Sequence, residues 1–453
     1  METLKTKMNS FILKDRKDTL NNLIQANEGF LLGVSNVNLH FHSFYSYNCH
    51  GWSPTQIAYE SKRRGLYAAG IIDFDVIDGR DEFLEAAELL GLRATVGIET
   101  RAFHTEYANL EIDSPGEPGV SYIAGSGFVT PLDKNSLEAK MLAEYRHTAK
   151  ERNIALISRI NWKLPAIAID YELDVVPLTP SGNVTERHII QAYIKKSVQH
   201  YYEQLKPYNF WSDVLGKPKE EIKNDFENVP AFEDLVRTKL AKKGGIGYEQ
   251  PTSETFPKVE AFFAWARSCG GVPLESWLDG MSKGEQDSVA LLEISRQKGA
   301  AGLNIIPDRN WNIKDPYVKA RKYYKLVEIV QLAERMDFPL NIGTEMNKIG
   351  LPFVDDLEGD DLKPFKNQFR NGAKILIGHS TMQRFASFSY ANIDADEYFN
   401  KNIKAKNDFF ASVGDLPPVN FAIADTFRNA GKEKSFALIQ DAVKKGRWSL
   451  KIA

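Results

Sequence analysis

The stretch Val37-Asn38-Leu39-His40-Phe41-His42 places two histidines one residue apart at the end of a short apolar segment. In a β-strand, side chains at positions i and i+2 project from the same face, so a strand here points both imidazoles in one direction. Two co-facial imidazoles at a strand end supply half of a metal site. The alternative is a pair of core histidines hydrogen-bonded inside an ordinary fold. The enrichment of histidine at metal sites favours the metal site.

Short apolar runs and helical patterns alternate after this first predicted strand. The runs predict further strands at residues 68–73, 93–99, 122–124, 154–158, 271–274, 301–306, 340–343 and 374–378. The helical patterns cover residues 52–65, 81–90, 136–152, 186–202 and 432–445. Such alternation is typical of a parallel sheet or barrel, in which the functional site lies at the carboxyl ends of the strands.

The composition is that of a soluble globular protein. The chain has 453 residues, 43% of them hydrophobic, and a net charge of -3, which argues against binding a nucleic acid polymer through its phosphates. Cys49 and Cys269 are too few and too far apart in sequence to predict a disulfide framework. No apolar run of membrane length and no apolar signal core occurs, so we expect a cytoplasmic protein without membrane association.

Four segments are predicted along the chain. Residues 1–33 form an N-terminal helical leader, and residues 34–199 form the first part of the barrel. Residues 200–262 read as a charged helical insertion. Residues 263–453 complete the barrel and add C-terminal helices.

Polar residues just past the predicted strands should converge at one end of such a barrel. They are His40, His42, Asp73, Asp75, Glu99, Arg101, Ser126, Glu275, Asp308, Arg309, Glu345, Asn347, His379 and Ser380. Histidines and acids predominate, which is the composition of a metal-dependent hydrolase site. The alternative is that these residues are polar only because loops begin there.

Three motifs resemble those of the PHP (polymerase and histidinol phosphatase) family. Residues 38–46 (NLHFHSFYS) resemble its opening motif, residues 70–79 (GIIDFDVIDG) its second, and residues 96–99 (VGIE) its third. Residues 185–188 and 270–273, which flank the predicted insertion, look like the subgroup of small phosphoesterases that act on nucleotide-type substrates. Residues 341–347 stand where the last motif is expected. The resemblance implies an α/β fold, a distorted (β/α)7 TIM-like barrel of the PHP type with a helical insertion, and up to three metal ions.

The chain also departs from the family pattern. Phe74 stands where the second motif usually carries a histidine, Glu275 replaces the histidine of a later motif, and Asn347 replaces the final histidine. The acid that usually follows the first motif is missing. His104 is a candidate for a further family histidine after the third motif.

The family's ligands for one ion are matched by His40, His42, Glu99 and Glu345, whereas the residues lost mostly serve the other two ions. The resemblance therefore implies one divalent transition metal, zinc, manganese or iron. Five further residues are candidates for a second site or for contacts with ligands or substrate: Asp73, Asp75, Glu275, Arg309 and Asn347.

A single ion can lower the pKa of a bound water to about 7, but it cannot hold both the attacking and the leaving oxygen. Phosphoester hydrolysis would then need cations from the chain, for which Arg101, Arg309 and Arg187 are candidates. His379, at the end of the predicted strand 374–378, is a candidate general acid or base, or else a histidine satisfied by backbone. His188 faces the site if the family likeness holds, and is otherwise a partly exposed helix residue.

Three functions are compatible with these features. The first is a PHP-type hydrolase of a small phosphorylated substrate, such as a nucleotide or sugar phosphate. The second is the same fold with a non-phosphoester reaction. The third is an inactive barrel that binds a partner.

Overall fold

The computed structural model describes residues 6–26, 30–31, 36–201 and 207–449. Within these residues, seven strands form one sheet whose spatial order follows the chain. The strands are β1 (Val37–Phe41), β2 (Ala68–Phe74), β3 (Arg93–Phe103), β4 (Val120–Ser126), β5 (Val272–Trp277), β6 (Gly302–Ile305) and β7 (Leu340–Ile342).

The sheet closes on itself as a distorted barrel. Strands β1 to β3 pair in parallel, as do β5 to β7, and β4 runs antiparallel between β3 and β5. The last gap is bridged after β7, where Glu345 N donates to His40 O and His42 N donates to Glu345 O, each at 2.8 Å. The predicted α/β class and the distorted TIM-like barrel are therefore confirmed.

Helices surround the barrel. Those before β5 are α1 (Leu13–Gln25), α2 (Pro54–Arg63), α3 (Arg80–Leu90), α4 (Leu137–Lys163), α5 (Glu186–Tyr201), α6 (Pro207–Leu215), α7 (Lys219–Glu227), α8 (Val229–Ala241) and α9 (Val259–Ser268). Those after it are α10 (Lys283–Gln286), α11 (Ser288–Lys298), α12 (Asp308–Trp311), α13 (Pro316–Arg335), α14 (Lys366–Ala386), α15 (Ile393–Tyr398), α16 (Ile403–Asp415), α17 (Phe421–Ala430) and α18 (Lys432–Lys445). Shorter helical turns are Thr105–Tyr107, Pro165–Ile167, Tyr171–Val175, Val176–Leu178 and Lys363–Phe365.

Local sequence rules set the helix ends near the barrel mouth. The Ser53 hydroxyl accepts from Gln56 N at 3.0 Å, and Pro54 occupies the first turn of α2, where its missing N–H is no loss. Gly91 ends α3 with a positive φ of 59°, a conformation that glycine adopts without a steric penalty.

Two predicted strands are wrong. Residues 154–158 lie inside α4, and residues 374–378 lie inside α14. Ile375, Leu376 and Ile377 are all buried, because α14 is packed against the barrel on one side and against α16 on the other. A short apolar run that is buried on every side has no amphipathic period, so it cannot be told from a buried strand by pattern alone.

Helix α14 closes the end of the barrel opposite to the carboxyl ends of the parallel strands. A Cβ on Gly372 would lie 2.2 Å from Leu340 O at the start of β7. Ser380 Oγ lies 2.8 Å from Thr95 Oγ1 near the start of β3. The barrel is therefore plugged at this end, and its other end is the only place where a site at the carboxyl ends of the strands can open.

The predicted insertion contains helices α6 to α8, followed by turns and loop over residues 242–258. Helices α6 to α8 and part of α4 and α5 share a hydrophobic cluster that contains Trp211, Phe232 and Val236 and no residue of the seven strands. Residues 202–206 lie outside the described residues, as do 1–5, 27–29 and 32–33 of the predicted leader and residues 34–35 after it. Of the helices in the described ranges, none has both the length and the apolar character to cross a membrane.

Candidate metal centre

Three buried side chains from two strands meet at the open end of the barrel. His40 lies on β1 and His42 directly after it, with ring centroids 5.1 Å apart, and β3 brings Glu99 beside them. The Nε2 atoms of His40 and His42 lie 3.7 and 3.4 Å from Glu99 Oε2. Over residues 6–26, 30–31, 36–201 and 207–449, this is the only group of three or more His, Cys, Asp or Glu whose ligand atoms all lie within 4.8 Å of one another.

A hydrogen bond on Nδ1 fixes the tautomer of His40. Its Nδ1 lies 3.1 Å from Asn304 Oδ1, and Asn341 Nδ2 donates to the same oxygen at 2.9 Å. Because that oxygen is an acceptor only, His40 carries its proton on Nδ1 and has a lone pair on Nε2. His40 Nε2 is buried and has no hydrogen-bond partner among the described residues. Such an atom, aimed at a carboxylate, requires a cation or a proton between them.

A second chain of hydrogen bonds orients His42. Its Nδ1 lies 3.2 Å from Ser46 Oγ, and that hydroxyl donates to Asp73 Oδ1 at 2.7 Å. Ser43 donates to the same carboxylate through its N–H and its hydroxyl, at 2.7 and 2.6 Å. Asp73 therefore ends a chain that holds His42, and it is not placed as a ligand. Burial raises the pKa of Asp73 above its usual value, against the lowering effect of these hydrogen bonds.

The electrostatics of the three residues favour positive charge between them. Burial raises the pKa of Glu99, but the two adjacent imidazoles, His40 and then His42, have the larger combined effect and bring it well below its usual range. Burial lowers the pKa of His42, yet its hydrogen bond to Glu99 and the charges of Glu99, Glu345 and Asp73 bring the net value above the ordinary one.

The donor set fits a divalent transition metal. Two imidazole Nε2 atoms and one carboxylate are ligands that zinc, manganese and iron accept, and three protein ligands leave positions for water and substrate. Each imidazole also has a partner on Nδ1, the arrangement by which metal-binding histidines are commonly held. The residues present therefore fit a single ion.

Glu345, predicted as a fourth ligand, is paired with an arginine. Its carboxylate accepts from Arg309 Nη2 at 2.9 Å. Burial raises the pKa of Glu345, but the charges of Arg309, His40 and His42 together leave it below its usual value. Glu345 and Met346 both have positive φ, 60° and 53°, which costs about 1–2 kcal/mol for each non-glycine residue. The backbone bonds to His40 and His42 that close the barrel hold this conformation.

Two arginines stand near the three residues. Arg101 lies two residues beyond Glu99 on the same face of β3, and its Nη1 donates to Glu117 at 2.9 Å. Arg309 follows β6 and pairs with Glu345, which is bonded through its backbone to His40 and His42. Both guanidinium groups are paired, and each keeps donors beyond those in the pair.

An aromatic residue lies beside Glu99. Phe74 is the register partner of Glu99 on β2, and its ring centroid lies 5.9 Å from that of Tyr122 on β4. An aromatic ring therefore occupies this position, where the family motif usually has a histidine.

Two further predicted residues, Asp75 and Asn347, lie in the loops after β2 and β7. Asp75 accepts from Thr100 Oγ1 at 2.5 Å and has a φ of 61°, so it stabilises the end of β2. Asn347 lies half-buried on the loop after β7.

Glu275 does not join the other strand-end residues. The side chain of the next residue, Ser276, accepts from Asn304 in the barrel interior, so Glu275 projects outwards. There its carboxylate accepts from Ser295 of α11 at 2.6 Å and lies 3.3 Å from His104 Nε2. Glu275 and His104 therefore contact each other away from His40, His42 and Glu99, because strand alternation turns the side chain at position 275 outwards.

His379 lies at the opposite end of the barrel. Its Nδ1 accepts from Tyr390 N at 3.1 Å, and a Cβ on Gly127 would lie 2.1 Å from its Nε2. Gly127 N bonds to Val96 O, three residues before Glu99 on β3. Ser126 and Ser380 share this end through Thr95. Burial lowers the pKa of His379 to about 3, so it is a neutral core residue and the prediction of an acid–base role next to the metal is corrected.

His188 caps its own helix. Its Nδ1 accepts from Thr185 N at 3.1 Å, which satisfies a free amide at the start of α5. Its ring centroid lies 5.4 Å from that of Tyr47, and burial lowers its pKa to about 4. These contacts give His188 a structural role, and the pattern of the sequence did not distinguish it from a site residue.

Sequence reasoning missed the residues that orient the histidines. Asn304 lies in the predicted strand 301–306, and Ser46 ends the opening motif, so both residues belong to segments that the sequence had singled out. The missing signal was the pairing itself, since 264 residues separate Asn304 from His40 along the chain.

No family model matches the chain, and no curated protein matches it. Among solved structures, an amidohydrolase from Chromobacterium violaceum, determined with bound sulfate and no metal, is similar with a TM-score of 0.48 at 15% identity, covering 74% of this chain and 96% of that one. A candidate metal-dependent phosphoesterase from Bifidobacterium adolescentis has a TM-score of 0.45 at 18% identity, covering 73% and 96%. Likenesses of this size do not identify a family.

Proposed function

We propose that this protein is a metal-dependent hydrolase of the PHP type that acts on a small phosphorylated substrate, of the nucleotide or sugar phosphate kind. His40, His42 and Glu99 would hold one ion of zinc, manganese or iron. The observation that carries the proposal is the convergence of two buried Nε2 atoms, each with its Nδ1 hydrogen-bonded, on one carboxylate oxygen.

A divalent ion held there supplies Lewis acidity, which activates a water molecule and polarises the bond under attack. The chain supplies the rest. Asn304 and the Ser46–Asp73 pair fix the direction of the two imidazoles. Arg101 and Arg309 neutralise the negative charge of a phosphoryl group, for which the planar guanidinium has the right donors.

The partner that we propose is a small molecule. The ligand side chains are at most 6% exposed, too deeply placed for a polymer backbone, and the net charge is -3. A cytoplasmic location stays a prediction from the sequence.

The test combines elemental analysis with assays on a panel of phosphoesters. We expect about one transition metal ion per chain in protein purified without chelators, and phosphate release from at least one small phosphoester. His40→Ala and Glu99→Gln should lose both the ion and the activity. His147→Ala, which removes an exposed histidine from α4, is the matched control. Full turnover in His40→Ala would overturn the proposal.

A second candidate is hydrolysis of a C–N or C–O bond in the same site. Two observations favour it. The described residues contain one group of metal-ligating side chains, and Phe74 stands beside Glu99. A single ion cannot hold both the attacking and the leaving oxygen of a phosphoryl transfer. Amides, lactones and sugar derivatives assayed with the loaded protein separate the two. Turnover of one of these compounds, with no phosphate release from the phosphoesters, selects this candidate. A protein that binds no metal and turns over nothing is an inactive barrel.

A further inference from the structure

Helix α8 of the insertion reaches the barrel at the loops that follow β1 and β7. Glu233 accepts from the hydroxyl of Tyr47 at 3.4 Å and from Gln191 Nε2 at 3.1 Å. Asp234 pairs with Lys348 Nζ at 2.7 Å. Tyr47 follows the strand that carries both histidines, and Lys348 follows the segment that closes the barrel.

The other end of the same helix reaches the loop that follows β3. Lys243, two residues past α8, lies 3.6 Å from Glu111, and Tyr248 donates to Gly116 O at 3.3 Å. The helix and the segment that follows it therefore contact the loops after β1, β7 and β3. β1 and β3 lead to His40, His42 and Glu99, which are 0%, 3% and 4% exposed.

The contacts that hold α8 on the barrel are polar and partly exposed, whereas its apolar contacts lie elsewhere. The side chains of Lys348 and Asp234 are 52% and 29% exposed, and exposed pairs of this kind stabilise a contact only slightly. Phe232, Val236 and Leu240 pack in the cluster shared with α4 to α7, which includes no strand residue of the described barrel. The helix keeps its apolar contacts buried when it moves away from the mouth together with this cluster.

Helix α8 also carries an arginine on the side of the mouth. Arg237 is one turn beyond Glu233 and pairs with Glu186, which also accepts from Lys242. Arg101 pairs with Glu117 at 2.9 Å. Both guanidinium groups keep N–H donors beyond those in their pairs, and an anionic ligand can accept from these donors.

We propose that α8 is a cover over the metal centre, which opens to admit the ion and the substrate and, when closed, brings Arg237 next to Arg101 on the substrate's anionic group. This inference rests on the proposed function, because it assumes that the ion and the anion bind beneath the helix. It adds a specificity-determining residue from the insertion and a step that controls access.

The cover is tested by the rate at which a chelator removes a probe metal. Protein loaded with Co²⁺ is mixed with excess pyridine-2,6-dicarboxylate, and the loss of the cobalt absorption is followed. The rate in the unmodified protein should level off at high chelator concentration, because opening of the helix limits it. Lys348→Gln should raise the plateau about two- to fivefold, the effect of losing one exposed pair, with the Co²⁺ affinity unchanged.

The matched control is Lys445→Gln, which removes an exposed lysine from a pair with Asp441 on α18 at 2.6 Å, away from the mouth. It should leave the plateau unchanged. A removal rate that rises linearly with chelator concentration and does not respond to Lys348→Gln would overturn the cover.

Inorganic phosphate tests the role of Arg237 in the same assay. Phosphate bound between the ion and the two arginines should slow the removal of Co²⁺, and Arg237→Met should require about tenfold more phosphate for equal protection, with Arg237→Lys in between. Equal protection in all three proteins would overturn the assignment of Arg237.

If the protein takes up no Co²⁺, the proposed function fails and the cover is still tested. Modification of His40 and His42 by diethyl pyrocarbonate in the metal-free chain should then be limited by the opening, since they are 0% and 3% exposed. Lys348→Gln should raise the rate of modification and Lys445→Gln should not. Equal rates in all three proteins would contradict the cover.

Discussion

Asn304 accepts the Nδ1 proton of His40 and is itself held by Asn341 and Ser276. The hydrogen bond leaves the lone pair of Nε2 facing Glu99. A histidine with the other tautomer would offer an N–H there and could not bind a metal. The chemistry of position 40 therefore depends on a residue that touches neither ion nor substrate.

Asn304→Leu should weaken metal binding by about 10- to 100-fold, because His40 loses the acceptor that selects its tautomer. Titration calorimetry with Zn²⁺ on the folded variant measures this. Asn304→Asp keeps an acceptor and should bind Zn²⁺ at least as tightly as the unmodified protein. Unchanged affinity in Asn304→Leu would mean that the Nδ1 contact does not orient the ligand.

His188 should make the protein less stable in acid. Burial lowers its pKa in the folded state to about 4, below the ordinary value of 6.5, so the unfolded chain takes up the proton first as the pH falls. The stabilisation is complete above pH 6.5 and is lost as the pH falls towards 4, with about 2 kcal/mol lost by pH 5. His188→Gln keeps an acceptor for Thr185 N and should remove this part of the pH dependence. Urea unfolding of both proteins at pH 8 and pH 5 measures the difference.

Among the helices, α14 shows how an element can be misread. Its middle is buried on all sides because it lies between the barrel and α16. Glycines allow the two helices to touch: a Cβ on Gly378 would lie 1.8 Å from Phe410 O, and one on Gly414 would lie 1.9 Å from Lys374 O. The apolar run 375–377 therefore serves a helix that plugs the barrel, and His379 at its end belongs to that plug.

Gly378→Ala should destabilise the protein by about 3 kcal/mol, since the new methyl group meets backbone of α16 that cannot move without shifting the whole helix. Ser412→Ala, on the exposed face of α16, is the control and should change the unfolding free energy by less than about 0.5 kcal/mol. Denaturant unfolding measures both. A loss below 1 kcal/mol in Gly378→Ala would show that the helices separate easily.

At the scale of the whole molecule, the barrel brings together residues that are 59 positions apart in sequence, His40 and Glu99. Parallel strands place their carboxyl ends at one mouth, and α14 closes the other. Binding of an ion to this site stabilises the folded chain alone, because the unfolded chain does not assemble the three ligands.

Zn²⁺ at about 100 times its dissociation constant should raise the melting temperature by roughly 3 °C, from a binding contribution of about 2.7 kcal/mol and the unfolding entropy of a chain of this length. Scanning calorimetry measures this shift. His147→Ala should show the same shift, and the double variant His40→Ala, Glu99→Gln should show none. An equal shift in the double variant would place the ion elsewhere.

The sequence by itself determined the strand that carries His40 and His42, the alternation of strands and helices, and the closeness of Glu99. The period of two in a strand and the common direction of parallel strands are local rules, and they apply without knowledge of distant segments. The resemblance of the first three motifs added the barrel type.

Only the tertiary structure decided which strand-end residues face one another. Three features depend on contacts between segments far apart in the chain: the pairing of Glu345 with Arg309, the outward direction of Glu275 and the position of His379 in the plug. The contacts of α8 with Tyr47 and Lys348 are a fourth. Asn304 and the Ser46–Asp73 pair are of the same kind. The physical reason is that register and packing, which no local pattern encodes, set the partners of a buried polar group.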